Sequence, residues 1–113
     1  MEDIDRVLAA LADPTRRRIL ERLGSGPASV TALAAPLPMS MSAVVQHLQV
    51  LERSGLVVSE KRGRVRTCRL DPERLATVED WIVARRRTWE RNLDRLGEVL
   101  EATGTPKPEE GTR

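Results

Sequence analysis

The chain has 113 residues, of which 40% are hydrophobic and 32% charged, the proportions of a soluble globular domain and not of a disordered or membrane-spanning chain. One domain exhausts this length, which leaves no room for a second, catalytic domain. The formal net charge is only +2, so any affinity for a polyanion has to come from where the cations stand, not from their total.

From the first residues, Ile4, Val7, Leu8 and Leu11 recur at helical spacing and predict a first helix of two to three turns that ends near Asp13-Pro14. Asp13 and Pro14 also start the next helix: Asp accepts from the free amides of a first turn, and Pro fits a position that needs no internal donor. The second helix runs from Thr15 to Leu23, with Ile19, Leu20 and Leu23 inward and Arg16, Arg17 and Arg18 in its first turn; Gly24 and Gly26-Pro27 stop it.

Ser29 caps a short third helix from Val30 to Ala35, with Val30, Leu33 and Ala34 inward, and Pro36-Leu37-Pro38 ends it. Ser40 restarts the chain. From Met41 to Ser54 no Gly or Pro intervenes, Val44, Leu48 and Leu51 share a face, and Gly55 suits a left-handed C-terminal cap. The opposite face carries Ser42, Val45, Gln46, Gln49 and Arg53, which is either solvated or reserved for a partner.

Residues 56–61 and 65–70 are β-prone and separated by Arg62-Gly63-Arg64, a hairpin with a three-residue tip. Asp71-Pro72 repeats the helix-start signal. The last helix runs from Pro72 to Ala102 with an apolar stripe through Leu75, Val78, Ile82, Trp89, Leu93, Leu96 and Leu100, more helix than a small core covers. The domain is therefore expected over residues 1–102, followed by a flexible tail over 103–113 that holds no large apolar side chain.

Other function classes fall away on composition. No apolar run nears the roughly 20 residues of a membrane helix. The opening Met1-Glu2-Asp3-Ile4-Asp5 lacks the basic-then-apolar order of a signal peptide, and the expectation is a cytoplasmic protein with no membrane partner. Two Trp without Phe or Tyr leave the core to Leu, Val, Ile and Ala, which favours packed helices over a sandwich. One Cys excludes an intrachain disulfide, and one Cys with one His cannot close a zinc site within the chain; no metal and no cofactor are expected. Nor does any second His, paired carboxylate cluster or Gly-rich phosphate loop accompany His47, and no catalytic residue is assigned.

The order of elements is mainly α with one small β-hairpin: a winged helix-turn-helix. A helix about 10–12 Å wide fits the major groove of B-form DNA, and polar side chains near its N-terminus reach base edges. On the fourth helix these are Met41, Ser42, Val45 and Gln46, with Gln49 one turn further. Gln pairs in bidentate fashion with adenine, and an exposed Val suits a thymine methyl. Ser40 leaves first-turn amides to hold a phosphate. The hairpin supplies charge: Lys61, Arg62, Arg64, Arg66 and Arg69 stand in residues 61–69 without an acid. Arg62 and Arg64 flank Gly63, placed to straddle the phosphate strand or enter the minor groove. Arg16 and Arg17 are further candidates at the DNA backbone, and His47 is read as a packed or phosphate-contacting residue.

Three segments, Leu8 through Leu20, Ser40 through Leu51 and Ser54-Gly55-Leu56-Val57, resemble in order and spacing the ArsR-type (SmtB-like) winged helix-turn-helix repressors of prokaryotes, over residues 4–102. That resemblance implies a symmetric dimer that represses a promoter until an inducer releases it, joined through its first and last helices. Here those helices would supply Ile4, Val7, Leu8, Leu11, Ile82, Trp89, Leu93, Leu96 and Leu100. Metal-sensing members carry Cys-x-Cys on the third helix, where this chain has Ser29-Val30-Thr31-Ala32-Leu33-Ala34, and others place Asp and His pairs on the last helix, which here has no His. The stretch from Glu79 to Leu96 looks most like the metal-independent branch often encoded beside START-like (Aha1-type) proteins. Val45 stands where many relatives have Ser.

Blander readings stand beside several of these. Cys68 alternates with Leu70 and is expected to pack as a small apolar group; the competing reading is a thiol made oxidisable by Arg66 and Arg69. Arg85-Arg86-Arg87 is a solvated face balanced by Glu79, Asp80 and Glu90, and Trp81 and Trp89 pack at a dimer seam. The expected function is a homodimeric DNA-binding repressor on an inverted-repeat operator, with an unknown small-molecule inducer. The alternative is a winged-helix module that docks a protein through the polar face of the fourth helix. Ranked below both is a metal sensor whose ligands are shared across a dimer.

Overall fold

A computed structural model describes residues 2–102; the tail expected over 103–113 lies outside the described residues. In chain order the elements are α1 (Glu2–Leu11), α2 (Pro14–Leu23), β1 (Ala28–Ser29), α3 (Val30–Ala34), α4 (Met41–Arg53), β2 (Val57–Arg62), β3 (Val65–Leu70) and α5 (Pro72–Ala102). They cluster into two units, one through Val78 and one from Glu79. No helix among the described residues is long and apolar enough to cross a membrane.

Local chemistry sets the helix starts of the first unit. Asp13 accepts from the Arg16 amide at 3.0 Å with Pro14 at the first helical position, Ser29 from Ala32 at 3.1 Å, and Ser40 from Ala43 at 3.1 Å. Each satisfies an amide that a first turn leaves without an internal partner. At the far end of α4, Gly55 has φ +83°, and its amide donates to the Glu52 carbonyl, which lets the chain leave the helix in the left-handed conformation. Ser54 is buried and satisfied: its hydroxyl donates to the Leu51 carbonyl at 2.7 Å and accepts from the Leu56 amide.

The core is made of Ile4, Val7 and Ala10 from α1, Ile19 and Leu23 from α2, Leu33 from α3, Val44, Leu48 and Leu51 from α4, and Leu56, Val57 and Cys68 beyond. Fully burying one such large aliphatic side chain contributes roughly 1.5–3 kcal/mol. On α1 the inward stripe is Ile4, Val7 and Ala10, not the expected set: steps of three keep these on one face, and Leu8 is 40% exposed and Leu11 half-buried. Ile4 and Val7, expected at a dimer contact, have spent their apolar surface inside the protomer.

The sheet has three antiparallel strands in the order β1-β3-β2, one more than the expected hairpin. β1 pairs Ala28 with Cys68 and Ser29 with Thr67, making β3 the central strand. The hairpin tip is also one residue shorter than expected: Arg62 pairs with Val65, which leaves Gly63-Arg64 as a two-residue turn. Gly63 has φ +62° and Arg64 does not share that region, the pattern of a type II′ hairpin, whose twist matches its strands. Cys68 is fully buried, and burial pushes its thiol up from the ordinary range; the Glu52 carboxylate adds to this and Arg66 opposes it. The reading of an arginine-activated thiol is thereby overturned, since desolvation outweighs the neighbouring cation.

In the second unit α5 continues as a single helix with Ile82, Trp89, Leu93, Leu96 and Val99 between 48% and 66% exposed. The Arg85 guanidinium lies 5.1 Å from the centre of the Trp81 ring, a cation–π pair on this helix.

Candidate nucleic-acid interface

Three faces of α4 do three jobs. Val44, Leu48 and Leu51 hold it to the core. Ser42, Gln46, Gln49 and Arg53 form an exposed polar stripe at helical spacing. Between these faces, Met41, Val45, Leu48 and Glu52 turn toward the hairpin and line a groove of about 340 Å³ with Val30, Arg64, Val65 and Arg66. Val45 is consequently half-buried at the groove and does not stand on the open face where it was expected; Met41 lines the same groove yet remains 47% exposed. Glu52 closes one end, its Oε1 accepting the Ser59 hydroxyl at 2.7 Å, so that α4 and β2 are hydrogen-bonded side by side.

Beyond the core the β2–β3 hairpin is a cationic wing. Lys61, Arg62, Arg64 and Arg66 are all exposed, and Arg69 lies 3.9 Å from Glu60. At this separation and exposure the acid neutralises little of the field. Arg62 and Val65 face one side of the ribbon and Lys61 and Arg66 the other, following the two-residue alternation of the paired register. Cations on both sides of a narrow ribbon suit a phosphate backbone that passes along it. At the start of α4 the Ser40 hydroxyl is used as the cap, while the first-turn amides of Met41 and Ser42 have no partner within the helix.

Three other expected residues are bonded to groups of the protein itself. Arg16 donates from Nε to the Ala10 carbonyl at 2.8 Å and from Nη2 to the Ala9 carbonyl at 3.1 Å, and its Nη1 meets His47 Nδ1 at 3.2 Å. It ties the end of α1 to α2 and α4, its guanidinium occupied by two backbone carbonyls and the His47 ring. Arg17 is exposed but donates to the Leu11 carbonyl at 2.7 Å. His47 is half-buried, with Asp13 Oδ2 3.8 Å from the ring nitrogen that meets Arg16. Asp13 in turn has its pKa held below the ordinary value, chiefly by the Arg16 backbone amide, with the Arg16 charge adding to the effect against some desolvation.

Sequence reasoning passed over two groups that shape this surface. Arg74 lies 3.6 Å from Asp3 and covers Gly55 so closely that a Cβ there would stand 2.6 Å from its Nε. The Glu52–Ser59 bond joins residues seven apart on different elements. Neither belongs to a pattern with a period, and the only legible hint was the glycine itself.

Known proteins share this arrangement. A family model described as a helix-turn-helix domain matches residues 11–60. The transcriptional regulator Rv2034 of Mycobacterium tuberculosis is 42% identical over 100 residues, covering 88% of this chain and 91% of that protein. The crystal structure of the ArsR family transcriptional regulator RHA00566 superposes with a TM-score of 0.74 at 43% identity, over 79% of this chain and 92% of its own. The homodimeric winged helix-turn-helix DNA-binding domain Mb0332 of Mycobacterium bovis gives a TM-score of 0.61 at 26% identity, over 83% and 84%. With the cationic wing set beside an exposed Ser-Gln-Gln-Arg stripe, these likenesses make the chain a DNA-binding member of the ArsR family of winged helix-turn-helix transcriptional regulators.

Proposed function

We propose that the protein is a homodimeric repressor that places α4 in the major groove of an inverted-repeat operator and the wing on the adjoining backbone. The observation that carries this reading is the exposed stripe Ser42, Gln46, Gln49 and Arg53 on the same helix whose Met41 and Val45 share a groove with Arg64 and Arg66 of the exposed wing. A base-reading edge and a phosphate-neutralising edge on one surface are what specific binding requires. Arg62 and Arg64 neutralise phosphates, Gln46 and Gln49 read adenine, and Met41, exposed beside the groove, meets a thymine methyl.

A second copy covers the apolar face of α5. Ile82, Trp89, Leu93, Leu96 and Val99 are more apolar surface than one exposed helix keeps in water, and the related Mb0332 domain is homodimeric. Two-fold symmetry matches half-sites about one helical turn apart, or a multiple of it.

Fluorescence anisotropy with DNA from just upstream of the protein's own reading frame, a scrambled competitor and a salt series tests the proposal. Preference for the cognate fragment by several kcal/mol with a steep salt slope is expected. Gln46→Ala lowers cognate affinity by roughly 1–3 kcal/mol and leaves scrambled DNA unaffected. Equally weak binding to both DNAs, and to fragments selected from the genome, would overturn it.

A further inference from the structure

The bonds around His47 converge on one ring nitrogen. Arg16 carries donors only, so in the Arg16 Nη1–His47 Nδ1 hydrogen bond, at 3.2 Å, the ring nitrogen is the acceptor. The same guanidinium grips the Ala9 and Ala10 carbonyls of α1. Asp13, which caps α2 through the Arg16 amide, lies 3.8 Å from the same Nδ1. The end of α1, the start of α2 and the middle of α4 therefore meet through a directional bond at Nδ1. The grip on α4 from its core face is the stripe Val44, Leu48 and Leu51. Apolar packing of that kind is non-directional, whereas a hydrogen bond weakens steeply when its angle is lost.

We propose that Arg16 and His47 are positioning residues for base reading: the Arg16–Nδ1 bond sets the rotation of α4 about its axis and so the aim of Gln46, which precedes His47, and of Gln49. This rests on the assignment of α4 to the major groove. Neither Arg16 nor His47 need touch DNA for the bond to govern specificity.

Three full-length variants test it. His47→Asn puts a carbonyl oxygen near the position of Nδ1, His47→Gln puts one near Nε2, and His47→Leu supplies neither. The readout is the ratio of affinities for a fragment selected from random DNA and for a scrambled one, at fixed salt, with urea unfolding to establish that each variant folds. His47→Asn is expected to keep the ratio, while His47→Gln and His47→Leu lower it about tenfold with scrambled DNA bound as before. Arg16→Ala is expected to lower the ratio with its salt slope intact. If His47→Leu does not fold, the Asn and Gln pair decides alone.

Retention by Gln and loss by Asn would overturn the inference in favour of a DNA contact through Nε2. Equal loss or equal retention across the folded His47 variants would overturn it as well. A flatter salt slope in Arg16→Ala would return Arg16 to the phosphate backbone. A wild type without preference for any selected DNA removes the assignment of α4 to the groove, and the inference with it, an outcome distinct from a change confined to the variants.

Discussion

Single residues do two unlike kinds of work in this fold, and the cap at Asp13 illustrates the first. Its pKa is lowered, mainly by the Arg16 amide, so the carboxylate form stabilises the folded state above the ordinary value of about 3.9, and this contribution is lost as the pH falls through the lower folded-state value. Asp13→Ala is expected to lower unfolding free energy by about 1 kcal/mol at neutral pH. The gap between variant and wild type then closes as urea titrations are repeated at increasingly acid pH. Gly55 illustrates the second kind, where the backbone and not a side chain is essential. At φ +83° Gly55→Ala is strained in its backbone and also displaces the end of the Arg74 side chain, and a loss of about 1 kcal/mol or more in thermal unfolding is expected. Asp13 and Gly55 were legible as a cap and a left-handed exit because both act within a turn of the chain. The link from Asp13 and Arg16 to His47 was not, since the partners lie 31 residues apart in the case of Arg16 and His47.

At the scale of elements, the proposed reading assigns affinity to the wing and specificity to α4. Replacing Arg62 and Arg64 by Ala together removes two exposed cations from the hairpin tip. The slope of log affinity against log salt should fall by about one for each phosphate left without its arginine, alike for cognate and scrambled DNA. Weakening confined to the cognate fragment would instead place these arginines at bases. The helices announced themselves through periodicity and caps, and α4 and α5 lie within a residue of expectation because long segments average over local exceptions. β1 escaped notice because two residues cannot display alternation; it exists because the central strand β3 offers it unpaired backbone groups. The shorter hairpin tip was likewise decided by pairing, once Arg62 and Val65 faced each other.

At the scale of the whole molecule, the proposed dimer rests on the exposed apolar face of α5. Leu93→Glu with Leu96→Glu is expected to yield monomers by sedimentation. It should reduce operator affinity about a hundredfold, because two linked reading heads become independent. Each monomer should keep its circular dichroism, since both leucines are exposed in the protomer. A variant that stays dimeric would place the interface elsewhere. The burial of Ile4 and Val7 inside the protomer already separates the two candidate surfaces that the sequence had combined. Of the apolar residues expected there from α1, Leu8 is the most exposed, with Leu11 half-buried.

Residue order alone determined the succession of helices, the hairpin and the cationic wing, because caps, turns and hydrophobic periods are written in side chains only a few positions apart. Tertiary structure alone decided what each polar group does. It turned Arg16 inward and set Val45 against the wing, and it paired Cys68 with Ala28 of a third strand. These outcomes depend on which distant groups arrive within hydrogen-bond or van der Waals reach, and that is fixed only when the elements pack.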